Sequence, residues 1–428
     1  MLLEESQNWQ PCPFQRRNDE EGLIRRSVDK HSKMDLLVVN PTVEAIQNAG
    51  LPPSKSHLIR WLLMASQSQE TVTISGISGA AKDACSMRDA LIQLGVKIEI
   101  DEHTWTVHGV GKNGFSLPES PLDLHNSGTA FRLLSFACLR NGYEIQITGD
   151  ATLESRIDRD FWNSLGIEVQ FQSEQQNLPL RICGPFNKDK LTIDGSKTSQ
   201  HLSSILLSMP ARSEPLDLTI EGDVVSSRHA QLSFDIAEQC GSKNQFGNWR
   251  LLPWECRPPS QVEIPNDASH ISFWKLYEIL HGTKLEIPIV APEDSIGAEI
   301  LSDLNLNNEQ TIDLRLANDL ITPLAAALAL GGGGKIVGAS HARYKETNRI
   351  EQTAEMLGLF SIQVECTNDG LLIPGRQLPS APESIVQTYG DHRMQMTAAV
   401  LATKVGARIE GAKLHEVSFP RFLDFLQP

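Results

Sequence analysis

One short pattern recurs six times in this chain of 428 residues: a polar cluster of Ser, Asn, Asp, Thr or Gly that opens an apolar, small-residue helix. The clusters are Ser54-Lys55-Ser56-His57 ahead of IRWLLMAS, Asn126-Ser127-Gly128-Thr129 ahead of AFRLLSFA, and Thr198-Ser199-Gln200 ahead of HLSSILLSM. Then follow Asn266-Asp267-Ala268-Ser269 ahead of HISFWKLYEIL, Asn318-Asp319 ahead of LITPLAAALAL, and Asp391-His392-Arg393 ahead of MQMTAAVLA. Near-regular self-similarity means one supersecondary unit used repeatedly, each copy burying its apolar face on its neighbours. Each cluster sets backbone N–H groups and short hydroxyl or amide side chains at a helix N-terminus, where anions bind readily. Taken singly, each reads first as an ordinary N-cap, because Ser, Thr, Asn and Asp supply caps anyway. Taken together, with Lys55, Arg60, Arg132, Arg349 and Arg393 in or near four of them, they point to anion binding.

The chain carries 38 Lys and Arg against 53 Asp and Glu, a net charge of −15. A nucleic-acid backbone would meet repulsion, so no nucleic-acid partner is expected. The cations near the clusters are local exceptions in an acidic protein, which suits a small anionic ligand in a focused pocket. No window approaches the ~18 apolar residues of a membrane span, so no membrane association is expected. Seven scattered cysteines without a C-x-x-C pair form neither a disulfide framework nor a zinc motif; they fit a reducing compartment, and a cytoplasmic location is expected. The twelve histidines hold no H-x-x-x-H pair, so no metal site is expected. Residues 1–33 stand outside the repeat and read as a poorly ordered extension. Their acidic residues Glu4, Glu5, Asp19, Glu20 and Glu21 speak against a transit peptide.

Between the clusters lie strand-like segments: 72–77, 97–100, 104–110, 143–149, 167–171 and 180–184, followed by KLTIDG, LDLTIEG, TKLEIPIV, TIDLRL, GKIVGA, IQVE and RIEGA. Helical patterns at 83–95, 234–241 and 349–360 alternate with them. The unit is strand, polar turn, helix, strand, helix, strands: an α/β arrangement. The length exceeds one ordinary core, so two domains of three units each are expected. The break is expected within the Pro-rich stretch 251–265, with a second crossing near Gly50-Leu51-Pro52-Pro53. The GGGG run at 331–334 lacks phosphate-loop spacing and reads as a tight helix-to-strand turn.

Ser56 and Arg60 share one helix face at i, i+4, and a guanidinium beside a hydroxyl is a natural carboxylate clamp. Thr198-Ser199-Gln200 offers neutral donors at a helix start, apt for phosphate. In Arg343-Tyr344-Lys345-Glu346-Thr347-Asn348-Arg349, adjacent opposite charges after a strand are hard to read as packing. Tyr389-Gly390-Asp391-His392-Arg393 has the same character, with His392 read as structural. Asp319 is either a cap or a general base at a strand-to-helix turn.

The segments PSKSHLIR, NSGTAFR, DGSKTSQHLSSILLSMP, NDAS, ANDLITPLAAALAL, RYKETNRI, YGDHRMQMTAAV and SFPRF stand in the order seen in the enolpyruvyl transferases, and the chain resembles the shikimate-pathway branch of that family over roughly 34–428. The resemblance implies a two-domain inside-out α/β barrel of six βαβαββ repeats. The domains would be 53–264 and 34–52 plus 265–428, the chain crossing between them twice. It implies transfer of the enolpyruvyl group of phosphoenolpyruvate to the 5-hydroxyl of shikimate 3-phosphate by addition–elimination, without metal or cofactor, in a monomer. Ser56 and Arg60 would hold the shikimate carboxylate, and Thr198, Ser199 and Ser226 its phosphate, with Lys55 and Gln200 also on that substrate. Lys55, Arg156 and Gln200 would hold the phosphate of phosphoenolpyruvate, Arg349 and Arg393 its carboxylate, and Gly128 would admit it close to backbone. Asp319 would accept the hydroxyl proton with Lys345 beside it, and Glu346 would exchange protons at the methylene.

The chain departs from the family pattern at five places. Val417 replaces a lysine before S-F-P, and His229 replaces a tyrosine in Ser226-Ser227-Arg228-His229. Leu133 and Ile157 replace prolines, and Asn348 an aspartate. Two alternatives therefore stay open: an enolpyruvyl transferase acting on another cyclic alcohol, and a non-catalytic ligand-binding paralogue.

Overall fold

A computed structural model describes residues 35–42, 46–140, 142–290 and 296–427, without the side chain of Lys112. The expected extension at 1–33 lies outside the described residues.

The repeat is clearest at the second cluster. Strands Leu122–Asp123 and Glu144–Thr148 run parallel with helix Gly128–Cys138 between them, and Leu180–Cys183 and Glu168–Gln170 extend the sheet antiparallel. The same order returns in Gln310–Asp313, Gly334–Val337, Leu371–Ile373 and Glu365–Cys366, around helices Ile321–Leu330 and Arg349–Leu359. It returns again in Gln261–Glu263, Thr71–Ser75, Thr104–His108 and Lys97–Ile100, around Lys55–Gln67 and Lys82–Gln93. There the first strand comes from far along the chain, so the three-unit ring closes on itself.

The other units are abbreviated. Lys190–Asp194 and Leu216–Glu221 pair parallel and take only the short Arg250–Leu251 beside them. Leu36–Val39 pairs antiparallel with Ala407–Glu410, and Val386 bridges Ile409 in parallel. The segment TKLEIPIV, expected as a strand, makes one bridge, Glu286 to Asn48. Ile289 is 98% exposed, and no second strand among the described residues runs along it. The helix expected at 234–241 begins at Ser227, and helices Ala151–Glu154 and Arg159–Ser164 are too short to show a period.

Helices lie inside and sheets outside. Helix Lys55–Gln67 is buried on every side from Leu58 onward, and Ile321–Leu330 from its first residue to Ala329. The sheets instead alternate, as in the exposed–buried pattern of Thr71–Ser75. Small residues make this possible, because Ala and Ser let buried helices approach closely. One apolar core runs from Leu58 to Ile264; the other takes Val39, Ile46 and Ala49 and then Phe273 to Leu426. The fold is a two-domain inside-out α/β barrel.

The two connecting segments hydrogen-bond to each other, Ser54 N to Pro265 O at 2.8 Å and Asp267 N to Pro52 O at 2.8 Å. The Pro-rich stretch itself is no free linker. Cys256 Sγ donates to Met64 O at 3.3 Å, and Trp254 packs on the first core, so the chain leaves that core only after Ile264. The GGGG run is the tight turn expected: a Cβ on Gly334 (φ +139°) would sit 1.9 Å from Gln310 O.

Candidate active site

The six helix starts converge on the space between the cores. Four carry a side-chain cap: Ser54 accepts from His57 N, Ser127 from Ala130 N, Asp267 from Ser269 N and Asp391 from Arg393 N. Ser199 makes no capping bond, and Asn318 and Asp319 lie in a single 3-10 turn before their helix. Capping and cleft lining are thus divided between neighbours: Ser54 caps while Lys55 and Ser56 line the cleft.

That cleft has a volume of about 680 Å³ and is lined by all fourteen candidate residues. Lys55, Ser56, Arg60, Gly128, Arg156, Thr198, Ser199, Gln200 and Ser226 come from the side of the first core. Asp319, Lys345, Glu346, Arg349 and Arg393 come from the side of the second. The two sides touch: Arg156 Nη1 lies 3.5 Å from Glu346 Oε1, and Ser226 N donates to Arg315 O at 3.1 Å. Ser226 is left-handed (φ +49°, ψ +40°), a strained conformation of the kind that clusters at functional sites.

Arg349, only 1% exposed, sits at the centre of the second side. Its Nε reaches Asp391 at 2.7 Å, Nη1 reaches Asp319 at 2.7 Å and Nη2 reaches Glu346 at 2.6 Å. Lys345 Nζ and Arg393 Nη2 each lie 3.6 Å from an Asp319 oxygen. Burial works against the Asp319 carboxylate, but Lys345, Arg393 and Arg349 outweigh it and hold its pKa well below the usual carboxylate range. Glu346 is held low in the same way, by Arg349 and Arg156 against burial. Burial lowers Lys345, and Asp319 only partly restores it. Arg393 donates to Ser269 Oγ at 2.9 Å, yet its buried Nε and Nη1 find no acceptor among the described residues.

On the first side, Lys55 bonds Asp83 at 2.7 Å; burial would lower its pKa, but Asp83 and Glu346 leave it raised. Arg60 is largely committed within the protein. It lines the cleft, but its nitrogens already hold Ser233 Oγ at 2.7 Å, Ser56 O at 2.8 Å and His229 O at 3.0 Å. Only the second hydrogens of its Nη atoms remain for a ligand. Sequence reasoning counted Arg132 only among the cations near the clusters and gave it no ligand group, yet it is the hub of this side. It donates to Gln200 Oε1 at 2.6 Å, to Arg156 O at 2.7 Å and to Gly128 O at 3.1 Å. Burial and Arg156 lower it to about 10, so it stays charged at neutral pH. Its i, i+4 relation to Gly128 was the available signal. Asp83, 28 residues from Lys55 in sequence, left none. The cleft lining holds ten Lys and Arg against four Asp and Glu, the reverse of the whole chain.

Buried histidines make a further demand. His201, His270, His341, His392 and His415 are all held below their usual pKa, chiefly by burial, His341 at about 4, and so is the half-buried His229. Below pH ~6.5 the unfolded chain binds protons that the native state refuses, so stability rises with pH across that window and is lost on acidification. Each such histidine contributes up to about 1.4 kcal/mol per pH unit. The urea midpoint is expected to hold near pH 7–8 and to fall steadily from about pH 6.5 towards 4. A midpoint unchanged down to pH 5 would mean these rings are not kept neutral.

A family model described as EPSP synthase (3-phosphoshikimate 1-carboxyvinyltransferase) matches residues 46–305 and 297–426. A 3-phosphoshikimate 1-carboxyvinyltransferase of Methanoregula boonei is 28% identical over 421 residues, covering 91% of this chain and 99% of its own. One from Lactococcus lactis subsp. cremoris is 26% identical, covering 88% and 95%. Among solved structures, EPSP synthase from Acinetobacter baumannii superposes with a TM-score of 0.69 at 23% identity, over 91% of this chain and 96% of that one. The enolpyruvyl transferase NikO from Streptomyces tendae gives 0.64 at 14% identity, with the same coverage. These two likenesses speak to the fold.

Proposed function

The chain belongs to the EPSP synthase (3-phosphoshikimate 1-carboxyvinyltransferase) family, and from that premise we propose that it transfers the enolpyruvyl group of phosphoenolpyruvate to the 5-hydroxyl of shikimate 3-phosphate, releasing phosphate, in aromatic amino acid biosynthesis. The observation that carries this reading is Arg393: a buried guanidinium with two unpartnered nitrogens, at the rim of a cation-lined cleft, calls for an anion. We read 53–264 as one domain and 34–52 with 265–428 as the other. A cleft whose two sides come from one chain is complete in a monomer, and we expect it to act in the cytoplasm.

In this reading the first side takes shikimate 3-phosphate, its phosphate on Thr198, Ser199 and Ser226 and its carboxylate on Ser56 and the remaining N–H groups of Arg60. Phosphoenolpyruvate lies across the junction, with its phosphate on Lys55, Arg156 and Gln200 and its carboxylate on Arg349 and Arg393. The 5-oxygen adds to C2 as its proton passes to Asp319, and C3 gains a proton from Glu346, which takes that proton up once the substrate anions pair with Arg349 and Arg156 and relieve their hold on its carboxylate. The tetrahedral adduct then loses phosphate, and a C3 proton returns to restore the double bond. Asp319 is a weak base while three cations surround it. Substrate anions that pair with Lys345, Arg349 and Arg393 relieve that field and raise its basicity when the hydroxyl is in place.

Val417 is half-buried and does not line the cleft, and neither do Lys413 and Arg421, the cations that could stand in for the family lysine. Its neighbour Glu416 pairs with Lys82 across the domains. Val417→Lys is expected to lower the KM for phosphoenolpyruvate about tenfold, the worth of one charged hydrogen bond; an unchanged KM would show that existing cations already saturate the phosphate.

His229 supports a second reading. It lines the cleft where the family has a tyrosine, its buried Nδ1 has no partner among the described residues, and burial keeps it neutral with a pKa of about 3. An acceptor alcohol with a different hydrogen-bonding edge would suit it. The deciding experiment is phosphate release from phosphoenolpyruvate with and without shikimate 3-phosphate. Release that depends on shikimate 3-phosphate supports the first reading. Binding without release supports a non-catalytic paralogue, and neither binding nor release supports another acceptor.

A further inference from the structure

The three central helices of the first domain have a second end. Lys55–Gln67, Gly128–Cys138 and Gln200–Leu207 begin at the cleft, and their C-termini meet on the opposite face, where Gln67 Nε2 donates to Leu207 O at 2.8 Å. A cavity of about 300 Å³ lies there. The 13-residue helix between it and the cleft spans about 20 Å, so the two are separate.

Two polar groups in its lining have no account within the protein. Gln67, 5% exposed, leaves Oε1 without a hydrogen bond, and the buried indole Nε1 of Trp254 has no acceptor, among the described residues. Both residues line the cavity, and an unmet acceptor and an unmet donor at its wall each cost desolvation that a ligand bonded to them would recover. Arg140 and Arg212 also line it. Arg140 donates to Gly111 O at 3.2 Å, and Arg212 to Phe186 O and Lys188 O, both at 2.8 Å, and to Glu214 O at 3.3 Å. These bonds fix the guanidinium groups without neutralising them, and no carboxylate among the described residues is ion-paired with either. Cations at helix C-termini are ordinary, but that role leaves Gln67 and Trp254 unexplained. Glu255, the one acid in the lining, is already bonded to Arg257 at 2.5 Å. The rest of the lining is Pro210, Pro253 and the indole, with Gln69, Gly111 and Cys256 beside them.

We propose that this cavity is a second binding site, for a small organic carboxylate that carries a flat ring and a hydroxyl or amino group beside the carboxylate. The carboxylate takes N–H groups of Arg140 and Arg212 and the Trp254 indole N–H. The neighbouring hydroxyl or ammonium donates to Gln67 Oε1, and the ring lies against the prolines. The volume is at the lower bound for small-molecule sites and holds one such molecule.

The test is calorimetric titration of the full chain with L-phenyllactate and with L-phenylalanine, in saturating shikimate 3-phosphate to keep the cleft occupied. One probe is expected to bind 1:1 with a Kd of about 1 mM or tighter, and the preferred probe identifies the group that Gln67 accepts from. Trp254→Phe, which keeps the ring and removes the N–H, and Arg140→Gln are each expected to weaken binding at least about fivefold with kcat unchanged. 3-Phenylpropanoate, which lacks the neighbouring group, should bind more weakly than the preferred probe. The proposal is overturned by the absence of binding at about 10 mM of either probe, by binding undiminished in both variants, or by competition with shikimate 3-phosphate.

Discussion

Asp319→Asn is expected to lower kcat by about 10²–10⁴-fold, the usual contribution of a positioned general base, while shikimate 3-phosphate binds at least as tightly as to the parent. The second half of that expectation comes from the ion pairs. Asp319 neutralises part of Lys345, Arg349 and Arg393. An amide keeps the shape but returns that positive charge to the cleft, so an anionic substrate gains. The folded state tolerates the change, because Arg349 keeps Asp391 and Glu346. Steady-state kinetics and calorimetric titration of the same preparation separate the two effects. Loss of binding together with loss of turnover would make Asp319 a structural cap, which is how its sequence context reads when taken alone.

Arg349→Gln is expected to destabilise the protein by about 3–5 kcal/mol, the usual cost of removing one partner from a buried ion pair. Here one cation serves three carboxylates, and Asp391 is fully buried. Asp391 also accepts from Arg393 N at the start of helix His392–Val405, so an uncompensated charge there loads the helix that carries Arg393. The effect should appear as a large fall in the urea midpoint at pH 7.5. A loss under about 1 kcal/mol would place the cluster among solvent-screened surface pairs.

Much of the fold was legible because the repeat is written in period and punctuation. Polar clusters, apolar small-residue helices and alternating strands survive in a single sequence, and the full units at Gly128–Cys138 and Ile321–Leu330 match them. The abbreviated units were not legible. TKLEIPIV has strand composition, but a strand forms only if a partner lies alongside, and that depends on residues far away in sequence. Helices Ala151–Glu154 and Arg159–Ser164 are too short for periodicity to register. The Pro-rich stretch read as a boundary from composition, although its tryptophan and cysteine pack against the first core.

The sequence by itself determined the unit, its sixfold use and the chemical types at the helix starts, because each depends on neighbours a few residues apart. Only the tertiary structure decided how those groups share their charges. Arg60 is largely committed to Ser233 and two carbonyls, Arg132 ties Gln200 to the Arg156 backbone, and Arg349 joins three acids from three segments. Coulomb energy depends on distance in space and on burial, and neither is written in spacing along the chain.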